Sequence, residues 1–163
     1  DGGQALPVDQ VAHAATIVRE FIEDYHERDE EEFIFPAMEK AHKLADLVAT
    51  LRAQHQAGRK LTAEVLGYAA PSANARVDKR AFAEALKKFV RMYGPHAAFE
   101  DTVLFPALHD IVTPSEYDAL GEEFERRERA GLGEDGFEHA VEQVDAIEQS
   151  LGIEDLAQFT PKV

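Results

Sequence analysis

Two stretches of this chain carry side chains at spacings that suit metal chemistry. One is His26-Glu27-Arg28-Asp29-Glu30-Glu31-Glu32-Phe33-Ile34-Phe35-Pro36-Ala37; the other is His96-Ala97-Ala98-Phe99-Glu100-Asp101-Thr102-Val103-Leu104-Phe105-Pro106-Ala107. Both read His-x3-Glu-x4-Phe-Pro-Ala, and the shared spacing marks an internal repeat. On a helix, residues i and i+4 lie one turn apart on one face. Each copy therefore offers an imidazole and a carboxylate to one point, and two copies on two helices suit a metal site inside a bundle. His55, at a core position in an aliphatic row, completes the candidate ligand set of His26, Glu30, His55, His96 and Glu100. Imidazole and carboxylate donors suit non-haem iron, manganese or zinc. Two carboxylates with several histidines in a bundle core are the donor set of a two-metal carboxylate centre, with Glu30 and Glu100 as bridges. Open positions there would take O2 or a related small oxidant.

The plainer readings weigh against single residues. A lone His-x3-Glu is also a common helix-surface pair, and a lone core histidine more often makes a structural hydrogen bond. The repeat and the cost of burying two unpaired carboxylates favour metal binding by His26, Glu30, His96 and Glu100. His13 and His109 each stand 13 residues from a motif histidine, roughly 20 Å along a helix. His42 and His139 read as surface residues.

The elements that must position these residues are all helical. Asp1 to Leu6 reads as a linker, and Pro7 suits a first turn. A first helix carries Val11, Ala15, Val18, Ile22, His26, Glu30, Phe33 and Ala37 on its inward face. Glu23, Asp24, Glu27, Glu31 and Glu32 mostly fall on the solvated side, and Pro36 is positioned to bend the helix. A second helix begins near Ala41 or Lys43, with Leu44, Val48, Leu51, His55, Gly58, Leu61 and Val65 inward. Gly67 to Ala75 is a loop. A third helix, capped near Asp78, presents Phe82, Leu86, Phe89, His96, Glu100, Val103 and Ala107, and Gly94-Pro95 should kink it. Thr113-Pro114-Ser115-Glu116 starts a charged helix to Ala130, with Tyr117, Leu120 and Phe124 as its thin apolar stripe. A last helix spans Phe137 to Leu151, and the end is expected to pack back through Leu156 and Phe159. There is no strand signal.

Composition narrows the class. At 163 residues the chain suits one domain, residues 1–163, with a bundle core over 8–112 and an accessory helical segment over 113–163. No apolar run is long enough for a membrane helix. The net charge of −15 argues against nucleic acid and anionic lipid. The absence of cysteine excludes disulfides and thiolate ligation. The chain begins at Asp1, so something upstream is expected to have been removed; the expected compartment is the cytoplasm, with a removed N-terminal signal as the alternative.

At the two motifs and His55 the chain resembles the hemerythrin-like, or HHE cation-binding, family in its bacterial forms. The resemblance covers Val8 to Asp110 and implies an all-α, up-down four-helix bundle holding two non-haem irons, oxo- or hydroxo-bridged, that bind O2. It implies metal ligation by His26, Glu30, His55, His96 and Glu100. Two departures stand out. Oxygen-carrying members have His-x3-His on the third helix, but Leu51 and Arg59 flank His55 at that spacing. This points to a subgroup that senses or reacts with peroxide or nitric oxide, including a weak peroxide-removing oxidoreductase. In one such variant a Glu directly after the second-helix His also binds iron, which makes Glu27 an extra candidate. The second departure is the helix bearing the family's first histidine: no His-bearing amphipathic helix precedes Pro7.

Three routes supply the missing wall: a lost upstream helix, the C-terminal helices with Glu125 or Glu128 folded over the gap, or a homodimer. Loss of the upstream helix is favoured, with the C-terminal helices or a second copy covering what remains. Tyr93, one turn before His96, is placed either to hydrogen-bond a bound oxygen species or to fill the core. Two rivals remain. A ferritin-like iron oxidase needs Glu-x-x-His on two helices; Glu23-x-x-His26 fits once, and Tyr93 spoils the second copy. The other is a metal-free or zinc-bound helical interaction module.

Overall fold

The computed structural model describes residues 6–70 and 78–161, and these contain five helices and no strand. The N-terminal linker up to residue 5, and residues 71–77 of the loop expected after Gly67, lie outside the described residues; the second helix itself continues to Ala69. Helix α1 runs unbroken over residues 8–40, α2 over Ala45–Ala69, and α3 over 79–109. Helices α4 (Pro114–Leu132) and α5 (Gly136–Leu151) follow, then a 3-10 turn at Leu156–Phe159. The starts are set by local chemistry. Asp78 accepts hydrogen bonds from the Arg80 and Ala81 amides, and Thr113 with Glu116 forms a reciprocal capping box ahead of Pro114 at the first turn.

Helices α1 and α3 are not uniform. Val18–His26, Glu30–Ile34 and Glu100–Leu104 are π-helical. The two short segments are equivalent: each begins at the motif glutamate and ends just before Phe-Pro. A proline inside a helix lacks the N–H, and its ring crowds the carbonyl four residues back, here that of Glu32 and of Thr102. Widening the preceding turn relieves the crowding. Pro36 therefore resets the turn it follows, which makes the Phe-Pro-Ala part of the repeat a shaping device for the Glu that opens it.

The wider turns shift the buried stripe. In α1 the buried positions include Ala15, Glu23, Glu27, Glu30, Ile34, Phe35 and Met38. After Glu30 the inward residues are thus Ile34 and Met38, with Phe35 beside them, where Phe33 and Ala37 were expected. In α3 they are Leu104 and Leu108, one past Val103 and Ala107. The long π segment also brings Glu23 and Glu27 inside, each 1% exposed, and Asp29 is buried too. The solvated-face reading fails for these acids because it assumed an unbroken 3.6-residue period. In the regular α2 the reading holds for Val48, Leu51, His55, Gly58 and Val65; Thr62 replaces Leu61.

Two apolar clusters fix the packing. At one end Ile34, Phe35, Met38, Val48, Leu51, Leu104 and Leu108 meet. At the other, Ala15, Val65, Phe82 and Ala85 meet. The end of α1 thus packs on the start of α2, and the end of α2 on the start of α3: an up-down bundle with α1 and α3 parallel. The candidate ligands occupy the polar layer between the clusters. Gly58 is required there, because a Cβ on it would stand 2.1 Å from the Tyr93 hydroxyl oxygen.

The fourth wall comes from α4 and α5, which together follow α1 in the opposite direction. Phe124 meets Phe33, Glu128 accepts from the Tyr25 hydroxyl, Phe137 meets Phe21, and Gln143 bonds His13. Arg127 clamps the pair by binding Asp29 and Glu32 while lying over the Phe33 ring. Of the three routes expected for this face, the C-terminal helices folded over the gap are the one seen among the described residues. The tail does not pack back: Leu156 is 82% and Phe159 60% exposed, because the short turn projects them away from the bundle. Removing the clamp leaves Asp29 buried without its cation, so Arg127→Met should lower the melting temperature by about 5 °C or more. Adding Asp29→Asn should restore part of the loss in thermal denaturation; an unchanged Arg127→Met would mean the clamp contributes nothing.

Candidate metal centre

All five candidate ligands converge. His26 and Glu30 come from α1, His55 from α2, and His96 and Glu100 from α3. His96 Nε2 stands 2.8 Å from Glu100 Oε1, and His55 Nε2 is 3.8 Å from the same oxygen. His55 Nε2 is also 3.4 Å from Glu30 Oε2, and His26 Nε2 is 3.7 Å from Glu30 Oε1. Two triads result, His55–His96–Glu100 and His26–Glu30–Glu100, each with its donor atoms within 4.8 Å of one another. Glu100 belongs to both. Four of the five residues are buried; the His26 side chain is 44% exposed.

The donor atoms fit a cation. Both oxygens of Glu30, Glu100 Oε1 and His55 Nε2 are buried without a hydrogen-bond partner, a costly state for polar groups. The outward nitrogens, in contrast, are held. His55 Nδ1 is 2.9 Å from Glu31 Oε1, and His96 Nδ1 is 2.8 Å from Gln54 Oε1. This is how metal-binding imidazoles are oriented: one nitrogen donates to an oxygen behind, leaving the other for the ion.

Without an ion, protons take over the charge balance. Burial pulls the His55 pKa down, but the nearby carboxylates of Glu100 and Glu30, the charge of Glu27 and the hydrogen bond to Glu31 outweigh this and lift it to about 10. Burial pushes Glu30 up, opposed by His55 and His26. For Glu100 burial also raises the pKa, but His55 and His96 prevail and set it at about 2.

A further group of Glu27, Glu31 and His55 has ligand-like spacing but is already neutralised. Arg59 lies 3.1 Å from Glu27 and 2.9 Å from Glu31. Glu27 also accepts the Tyr93 O–H at 2.7 Å. Tyr93 thus serves Glu27 and the Gly58 contact, so its hydroxyl is spent on a carboxylate, and the core reading of it prevails. Glu23 pairs with Arg19 at 2.8 Å, Glu125 is exposed beside Arg129, and Glu128 faces Tyr25 and the Phe137 amide.

What decides the family is that this donor set coincides with a match over most of the chain: residues 3–108 match the Hemerythrin HHE cation binding domain. The chain belongs to the hemerythrin HHE family. Uncharacterized proteins of Mycobacterium tuberculosis and Mycobacterium bovis are 47% identical to it over 158 residues, 95% of this chain. The chain spans 61% of the length of these curated relatives. No solved structure matches it significantly. HHE domains bind cations, and the two triads are groups able to hold a metal ion. No helix among the described residues is long and apolar enough to cross a membrane.

The residues that sequence reasoning missed are the orienting ones: Glu31, Gln54 and Arg59. Gln54 directly precedes His55, and Arg59 follows it by four, a helix neighbour. The second-row role of Glu31 had no signal, because the π turns set which acids face inward. Glu31→Gln should weaken metal binding about 10- to 100-fold, read by competition with a chromophoric chelator, and an unchanged affinity would remove Glu31 from the orienting set. A separate test uses pH on metal-free protein. The folded His55 pKa of about 10 exceeds the ordinary histidine value of 6.5. Its stabilising contribution is therefore full below pH 6.5 and is lost as pH rises towards 10. The melting temperature should fall across that window, and His55→Gln should flatten the dependence.

Proposed function

We propose that this HHE domain holds a non-haem di-iron centre and binds O2, or senses or reacts with peroxide or nitric oxide. The observation that carries the reading is the pair of triads sharing Glu100. A carboxylate common to two donor groups suits two neighbouring cations, and mixed imidazole and carboxylate donors suit iron. His26, Glu30 and Glu100 would hold one ion, and His55, His96 and Glu100 the other. A bound iron pair supplies redox-active positions for a small oxidant. The chain's own part is orientation through Glu31 and Gln54, exclusion of bulk water by the two apolar clusters, and an accessible edge at His26. Arg59 and Arg19 offset Glu27, Glu31 and Glu23, so the charge left for the ions sits on Glu30 and Glu100.

Other readings fit less well. A ferritin-like oxidase would need Glu23 as a ligand, and Arg19 neutralises it. Zinc could take the same donors, and spectra separate it from iron. Protein from iron-supplied cells should contain about two irons per chain by elemental analysis, with a near-ultraviolet oxo-type band. Glu100→Ala should remove most of both ions, because it serves both triads, whereas His26→Ala should spare the His55–His96 side. One zinc, or no metal, in the unmodified protein would sink the di-iron reading.

A further inference from the structure

Beside His26, residues of α1, α3 and α4 line a partly open cavity of about 290 Å3. Its walls differ in chemistry. Ile34, Leu108, Leu120 and Phe124 form an apolar wall, and His26 and Glu30 contribute the polar end. Of the other polar groups, Asp29 binds Arg127, the Tyr25 O–H donates to the Phe124 carbonyl, and Tyr117 lines the wall with its ring stacked on His109. Glu30 is 1% exposed with both oxygens lacking a hydrogen-bond partner. The polar end of the cavity is therefore the edge of the candidate metal centre, and that edge is what a guest's head would meet.

Size argues against a diatomic as the whole guest. A dry apolar cavity of about 150 Å3 accommodates benzene, and a water molecule's share of liquid is about 30 Å3. The volume here is roughly twice the first and ten times the second. O2, nitric oxide or hydrogen peroxide would leave most of it empty. Predominantly apolar walls with a few convergent polar groups make a small-organic-molecule site. Leu120 and Phe124 lie beyond the span matched to the HHE domain, which ends at residue 108. The cavity is therefore completed by the added helix α4.

We propose that this cavity binds a small uncharged organic molecule, about one aromatic ring in size, whose hydroxyl or hydroperoxyl head points at His26 and Glu30. The proposal deepens the metal-centre reading and rests on it for what the head meets. The net charge of −15 disfavours an anionic guest.

Cumyl alcohol, a non-reactive probe of this shape, tests the idea by titration calorimetry on iron-loaded and metal-free protein, with metal content measured on the same samples. Gly121 lines the cavity, and nothing lies within 4 Å of where its Cβ would stand. Gly121→Phe can therefore occupy space there while improving helix propensity; Leu120→Phe is a second filling variant. Saturable one-to-one binding is expected, weakened about tenfold or more by filling, with benzoate binding more weakly than cumyl alcohol. Binding that is absent from both forms of the protein, or indifferent to both filling variants, overturns the proposal. Two irons without cumyl alcohol binding would overturn it while leaving the metal reading intact. Filling-sensitive binding by protein that takes up no iron when supplied with it would support the cavity and overturn the metal reading.

Discussion

The controlling constraint is the burial of carboxylates in the middle of a small bundle. An ion removed from water costs several kcal/mol even after relaxation, and Glu23, Glu27, Glu30 and Glu100 all lie inside. The surrounding chemistry answers this cost residue by residue. Arg19 meets Glu23, Arg59 meets Glu27, and Tyr93 donates to Glu27. Glu30 and Glu100 have only histidines, which are neutral donors when a cation is present and proton carriers when it is absent. The apolar clusters above and below raise the penalty for leaving these two uncompensated, and so strengthen the demand for a cation.

Much of this was legible in the sequence, and the line between legible and hidden follows helix geometry. The repeat located four ligand-type residues, and α2, a regular helix, showed its buried face and His55 at the ordinary period. In α1 and α3 the stripe slipped by one residue after each motif glutamate. The cause was visible as Pro36 and Pro106, but the response, a widened turn rather than a bend, depends on packing. Glu23 and Glu27 were misplaced because the longer π segment Val18–His26 also breaks the ordinary period. Gln54 and Glu31 were missed because their role depends on which helix faces which, a tertiary fact. The tail residues Leu156 and Phe159 looked like core by composition alone.

The C-terminal helices show how an incomplete bundle closes. Their apolar stripe is thin, so docking leans on Arg127, the Tyr25 contacts and a line of aromatic pairs along α1. Gly133, at φ 94, breaks the wall into two pieces that meet different stretches of α1. Fewer buried contacts on α5, where Phe137, Val141 and Val144 are half exposed, make this end the region of lower local stability.

The half-exposed His26 gives the centre a front and a back. On the proposed reading, the position served by His55 and His96 is sealed, while the one served by His26 is within reach of solvent and of competing chelators. Ion exchange would then be ordered, with the outer position emptying first and refilling last. A protein built this way has a one-ion state as a normal stop between empty and full, and its metal content reports the supply around it.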